Sequence, residues 1–304
     1  MDFGLSLPHF RRVASPEAIR RVAERAERLG YDGIWVSDHL VIPDSAVDRF
    51  GSVFYEPLTV LGFAAACTSR VHLGTTVLIL PYRNPLVTAK VLATLDVLSG
   101  GRVLAGMAVG WTEAEFKALS VPFQERGALS DEYIAAFKVL WTEDEPTFSG
   151  QHVRFERIAF EPKPIQKPHI PIWIGGNSKR AIRRAVALGD CWHPTRSLVG
   201  DIKAGLTYLT EVCAQRGRDP RSLMIAVRQP LKFYNGVEAS VRRRPLLGST
   251  QKVIDDIGHY RDAGVQYMVL DTFYSVPELD GQTVEGMFET IERFAADVMP
   301  KFKP

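Results

Sequence analysis

The stretch "GIWVSDHL" (33–40) ends an apolar run in a carboxylate and an imidazole, Asp38 and His39. A neutral imidazole accepts a proton near pH 7, and a neighbouring carboxylate can orient it or raise its basicity. The pair is therefore an acid–base candidate, although a turn capped by Asp38 beside an ordinary loop histidine would leave the same pattern. A second stretch, "WIGGNSKRAIRRA" (173–185), passes through Gly175 and Gly176 to Asn177 or Ser178 at the start of an amphipathic run. Glycines let backbone N–H groups approach a ligand, and a helix N-terminus favours an anion, with phosphate the best fit. A tight turn with a serine N-cap is the plainer alternative. The stretch is neither a P-loop nor a Rossmann fingerprint. Gly106 and Gly110 would let a flat ligand come close, Trp111 follows at the rim with a core tryptophan as the alternative, and Glu113 is a secondary acid–base candidate. "RRRP" (242–245) reads as a solvated loop or as a contact for an acidic ligand tail.

Whether these residues meet depends on the elements that carry them. Strand-like and helix-like segments alternate from end to end. Strands are expected at 3–8, 33–40, 71–80, 102–110, 171–176, 191–195, 223–234 and 267–273, each followed by a helical pattern. The first helix shows the logic: Ser15 is the N-cap, Pro16 suits the first turn, Ile19, Val22, Ala23, Ala26 and Leu29 share a face, and Gly30 stops it. The last is expected from about Val284 to Val298. Alternation implies parallel strands with right-handed crossovers, and eight such pairs close into a (β/α)8 TIM barrel. An open doubly wound sheet normally uses fewer units. Longer connections at 40–55, 142–170 and 235–249 read as insertions after strands 2, 4 and 7, the second containing a hairpin, within one domain spanning 1–304.

Barrel active sites form at the C-terminal strand ends. Those positions hold Pro8 and His9, Asp38 and His39, Thr76 and Val77, and the stretch from Gly110 to Glu113. The later strands end at Gly175 to Asn177, at His193, Thr195 and Arg196, at Arg228 and at Asp271.

Composition bounds the partners. A chain of 304 residues, 46% hydrophobic with net charge +2, has the make-up of a soluble globular protein and no broad nucleic-acid surface. Three scattered cysteines suit a reducing cytoplasm, and neither a signal peptide nor a membrane span is expected. No His/Cys/Asp/Glu cluster has metal-ligand spacing, and no nucleophile elbow occurs.

Taken in order, "SDHLVIP" (37–43), "LGTTVLILPYRNPLVTAKVLATLDVLSGGRV" (73–103), "GWTEAEF" (110–116), "ERGALSDEYI" (125–134), "PHIPIWIGGNS" (168–178) and "ALGDCW" (187–192) resemble the bacterial luciferase-like monooxygenase superfamily. The resemblance is closest to its coenzyme F420-dependent oxidoreductases and spans nearly the whole chain. It implies a flavin or deazaflavin at the barrel mouth, with Asp38 beside the ring system and His39 moving a proton. Thr76–Val77 match a bulge, often with a non-prolyl cis peptide, that backs the ring. Val109, Gly110 and Trp111 match strand-four contacts, and Gly175, Gly176 and Asn177 match the phosphate turn. Cys191 in "GDCW" replaces a glycine, and Ala105 and Ala108 stand where glycine is common; both departures bear on the pocket. The implied activity is hydride transfer between coenzyme F420 and a small organic substrate, with Asp38 orienting His39. An FMN-dependent monooxygenase fed by a flavin reductase is the alternative, and a non-catalytic flavin-binding barrel the third. A homodimer is expected, with an F420 or flavin reductase as a further partner. An acidic cofactor tail would need cations such as Arg196, Arg228 or the Arg242–Arg244 run.

Overall fold

The computed structural model describes residues 1–234, 244–274, 276, 279 and 281–303; Arg242 and Arg243 lie outside the described residues. The barrel strands are β1 (Asp2–Ser6), β2 (Gly33–Val36), β3 (His72–Thr75) with its short continuation β4 (Leu78–Ile79), and β5 (Val103–Ala108). After the hairpin strands β6 (Phe148–Ser149) and β7 (Arg154–Phe155) come β8 (Ile172–Gly175), β9 (Cys191–His193) and β10 (Met224–Pro230). A small parallel pair, β11 (Lys232–Phe233) and β12 (Leu247–Gly248), precedes the last barrel strand, β13 (Tyr267–Asp271). β1 pairs in parallel with both β2 and β13, and β3 pairs with β5, so the eight-stranded barrel closes without an edge.

Helices wrap the outside: α1 (Pro16–Arg28), α2 (Asp44–Phe50), α3 (Pro57–Cys67), α4 (Pro85–Ser99), α5 (Glu113–Ala118) and α6 (Arg126–Thr142). α7 (Lys179–Leu188), α8 (Val199–Arg216), α9 (Thr250–Asp262) and α10 (Val284–Arg293) complete the ring. Their starts follow from local chemistry. Ser15 Oγ accepts the Ala18 N–H at 3.0 Å ahead of Pro16, and Asn84 caps α4 through the Leu86 and Val87 amides. The closing helix passes into a π-helical turn at Phe294–Val298. The 142–170 connection follows α6 and carries the β6–β7 hairpin, so it lies on the helix-to-strand side of the barrel. Between β5 and α6 the chain inserts α5, an element the sequence periodicity does not announce.

An aromatic plug fills the barrel interior. Trp35 lies 4.7 Å from the Trp173 ring and donates its indole N–H to Tyr267 at 3.1 Å, with Leu104, Cys191, Ala226 and Val269 around them. Glycines on two strands make the room: a Cβ on Gly4 or Gly74 would come within 2.1 or 2.2 Å of the Trp35 indole. Cys191, considered above as a change in the pocket, is a member of this plug. Along β9 the side chains alternate, so Cys191 packs inward, Trp192 joins the outer core and His193 reaches the mouth.

Candidate functional site

A cavity of about 1520 Å³ opens above the plug, over the C-terminal ends of the strands. Its floor is a polar knot. The Thr76–Val77 peptide, between β3 and β4, is cis. The Thr76 carbonyl accepts from Arg228 Nη1 at 2.6 Å, and the Thr76 hydroxyl shares a hydrogen bond of 2.8 Å with His193 Nε2. Arg228 also grips Asp271 with two bonds of 2.8 Å and donates to Ser37 Oγ at 2.8 Å. Gly175 is dictated by the bulge, since a Cβ there would stand 2.5 Å from Val77 Cγ1. Burial drives the imidazoles of His9 and His193 down to about 4 and about 3, so both are neutral at physiological pH. In His9, Nε2 accepts the Ser37 N–H at 3.0 Å while Nδ1 meets the Leu7 carbonyl.

His39 lines the cavity and is buried, but its orienting partner is not Asp38. His39 Nδ1 lies 2.7 Å from Oε2 of Glu115, on α5. Glu115 is fully buried and also accepts from the Leu40 and Val41 amides at 2.7 and 3.1 Å and from the Tyr82 hydroxyl at 2.9 Å. Burial alone would push its carboxyl up; the His39 ring and the two amides outweigh that and hold it below the usual range. Burial and the Glu115 charge push the Tyr82 hydroxyl up, which keeps it a donor. Asp38 instead accepts the Ile79 amide at 2.8 Å and pairs with Arg83, which reaches on to Glu56 at 2.8 Å. Despite its burial, the Arg83 guanidinium is held above its ordinary value by these two carboxylates. Asp38 thus pins the end of β4 ahead of a 3₁₀ turn at Leu80–Tyr82, while Glu115 aims the imidazole.

An aromatic wall stands over His39. Phe50 on α2 lies 4.4 Å from the imidazole, with Phe54 and Trp111 at 5.4 and 6.2 Å. Arg49 lies over both Phe50 and Trp111 and donates to the Tyr274 hydroxyl at 3.0 Å. The cavity lining carries nine Arg or Lys side chains against two acids, Asp38 and Asp131.

Residues 1–233 match the family described as luciferase-like monooxygenase. The chain belongs to that family. It is 32% identical over 277 residues to an uncharacterized protein of Mycobacterium tuberculosis, Rv0953c, covering 86% of this chain and 96% of that one. It is 31% identical over 201 residues to the FMNH(2)-dependent dimethylsulfone monooxygenase of Pseudomonas putida, covering 65% of this chain and 54% of the relative. Among solved structures, an F420-dependent secondary alcohol dehydrogenase in complex with an F420-acetone adduct superposes with a TM-score of 0.82 at 20% identity, covering 100% of this chain and 99% of that one. The family is one of oxidoreductases and monooxygenases, and solved structures that share the fold include F420-dependent enzymes and a riboflavin lyase with modified FMN.

Within this luciferase-like enzyme, the residues expected from the sequence divide into two groups. Asp38, His39, Thr76, Val77, Val109, Gly110, Trp111, Gly175 and Gly176 all line the cavity. Glu113 does not: it is exposed at the start of α5, and the carboxylate that enters the site is Glu115, two residues on. Asn177 is exposed outside the lining, where its side chain clamps Thr195 through bonds of 2.9 and 3.0 Å. Ser178 caps α7 by accepting the Ala181 N–H at 3.2 Å. No sequence pattern singled out Glu115: Thr112, Glu115 and Phe116 share one buried helical face, but two of the three are polar and α5 is only six residues long. Among the described residues no group of three or more His, Cys, Asp or Glu could hold a metal ion, and no helix is long and apolar enough to cross a membrane.

Proposed function

We propose that this enzyme transfers a hydride between the deazaflavin coenzyme F420 and a small organic substrate, with His39 moving the accompanying proton. The observation that carries the reading is the His39–Glu115 pair in the mouth. With Nδ1–H donated to Glu115, the neutral ring keeps its lone pair on Nε2, the nitrogen left for the cavity. Glu115 holds the ring angle and compensates the positive charge when Nε2 takes a proton, much as a buried carboxylate serves a catalytic histidine elsewhere. His39 would receive a proton at Nε2 as substrate is oxidised and return it as substrate is reduced. The deazaflavin, when bound, supplies the carbon that carries the hydride.

The residues present fit such a group. The Thr76–Val77 bulge, Val109, Gly110 and Trp111 would flank the ring, and Gly175 and Gly176 would face a phosphate. The excess of lining cations supports a cofactor with several negative charges, whereas FMN carries a single phosphate. Phe50, Trp111 and the other aromatic rings over His39 would exclude water and hold an apolar substrate body. Titration with oxidised and reduced F420 and FMN, followed by absorbance and fluorescence, tests the choice; tight binding of reduced FMN with oxygen consumption would overturn it.

The second reading, an FMN-dependent monooxygenase supplied by a reductase, is favoured by the 31% identity to the Pseudomonas putida monooxygenase. Binding of neither cofactor would favour the non-catalytic barrel. We also propose a homodimer: Phe63 on α3 and Val87, Val91 and Leu98 on α4 leave large apolar side chains exposed. Light scattering on the wild type and on Val87→Glu tests it, with a monomeric wild type counting against it. The three free cysteines support a cytoplasmic location, which fractionation of cells would check.

A further inference from the structure

The insertion after β2 puts a cation into the mouth beside His39. Arg49 stands in the last turn of α2, where a positive charge complements the helix dipole, and its side chain lines the cavity. Its backbone is held on both sides. Gly51, with φ of 73°, ends α2 by donating its N–H to the Val47 carbonyl, and Arg11 Nε donates to the Arg49 carbonyl at 3.0 Å. The guanidinium is held as well. Its Nε donates to the Tyr274 hydroxyl at 3.0 Å, and its central carbon lies 5.0 and 5.3 Å from the ring centres of Phe50 and Trp111. Among the described residues no carboxylate pairs with Arg49, and neither Nη has a hydrogen-bond acceptor.

The same two rings contact the group that moves the proton: His39 lies 4.4 Å from Phe50 and 6.2 Å from Trp111. Imidazole and guanidinium are therefore separated by no more than two ring contacts, a span that a small organic molecule bridges. Around the barrel β3 and β5 stand between β2 and β8, so Arg49 is remote from the turn at Gly175 and Gly176. An anion on Arg49 would belong to the substrate. With Nε occupied and its plane resting on two rings, the guanidinium keeps its Nη donors ready for a carboxylate, at little further cost in side-chain freedom. The insertion also exposes Leu40, Val41 and Val53, which favours an apolar body over a polyol. We propose that Arg49 determines specificity, selecting a ketone or secondary alcohol whose apolar body lies on Phe50 and Trp111 and whose carboxylate pairs with Arg49. The chemistry rests on the deazaflavin reading above. In the reducing direction the carbonyl carbon gains the hydride that the reduced deazaflavin gives up, and the carbonyl oxygen takes the proton from His39 Nε2. The product is the secondary alcohol, and the carboxylate is unchanged.

The test is calorimetric binding of para-acetylbenzoate and of its neutral isostere para-acetylbenzamide to the whole protein without cofactor. Wild type should bind the acid on the order of tenfold more tightly than the amide. Arg49→Gln should erase that preference and leave amide affinity within about twofold, with an unchanged melting curve as the check on folding. Arg49→Lys should keep a preference of roughly threefold, because an ammonium restores the charge but not the planar fork. Equal binding of the two probes by wild type, or binding of neither, would overturn the proposal. A preference surviving in Arg49→Gln would assign the carboxylate to other lining cations and overturn it too. Turnover of the acid with reduced F420 is read separately. There Arg49→Gln should raise KM by about tenfold and leave kcat within about twofold, since Arg49 is remote from the reacting carbon. A carboxylate preference lost with Arg49 in a protein that fails to bind F420 would remove the deazaflavin reading and leave the Arg49 site standing.

Discussion

The two walls of the mouth treat charge in opposite ways. On the wall built by β2, α5 and residues 80–83, every buried ion is tied: Asp38 to Arg83, Arg83 to Glu56, and His39 to Glu115. On the wall built by α6, α7 and the end of α8, Arg126, Lys179, Arg180, Arg183 and Arg216 have no carboxylate partner among the described residues. Removing an ion from water is costly unless partners replace the solvent, so buried charges persist where their geometry is fixed by several bonds. Lys179, Arg180, Arg183 and Arg216 are exposed and carry no such penalty. The difference separates groups that position from groups that attract, and substitutions on the two walls should fail differently.

The largest effect is expected at His39. His39→Ala should lower turnover by about 10²-fold or more while leaving cofactor affinity within about twofold, as steady-state kinetics and titration would show. Unchanged turnover would remove His39 from the mechanism. Glu115→Ala strands the Leu40 and Val41 amides, the Tyr82 hydroxyl and the His39 ring. It should cost about 3 kcal/mol in chemical denaturation as well as most of the activity. Glu115→Gln should keep the fold better but present an amide N–H to Nδ1, moving the imidazole proton to Nε2; ¹⁵N shifts of the histidine would report the tautomer.

Acid should loosen the floor of the mouth. His9 and His193 have folded values near 4 and 3, below the ordinary 6.5, so the unfolded chain takes up protons first. Their contribution is complete above about pH 6.5 and is lost as pH falls from there toward 4, by up to about 3 kcal/mol per imidazole. Glu115, with its value held low, adds a further loss below the ordinary glutamate range. Denaturation midpoints across this range should show the slope, and His193→Gln should flatten it. The smallest effect is expected at Glu113, where Glu113→Gln should leave kcat/KM within about twofold. A larger change there would blur the distinction between the tied wall and the surface beside it.

The barrel could be read from the sequence because alternating strand and helix patterns, capped by Ser15, Asn84 and Ser178, repeat with the same punctuation. The same counting brought His39, Thr76, Gly110 and Gly175 to one end. What the pattern hid was contact between side chains. Asp38 adjoins His39 in sequence, yet its carboxylate turns to Arg83, 45 residues on, and the imidazole finds Glu115 on a helix too short for periodicity to reveal. Cys191 looked like a change in the pocket because its neighbours are there; strand alternation sends it into the plug.

Arg228 joins Ser37, the Thr76 carbonyl and Asp271, groups at the C-terminal ends of three other strands and from both halves of the chain. During synthesis the guanidinium has no carboxylate to hold until β13 has emerged. The polar floor is therefore complete only once β13 has docked between β1 and β10. An N-terminal fragment ending before Asp271 would carry His39 and Glu115 yet leave the floor of the mouth unassembled.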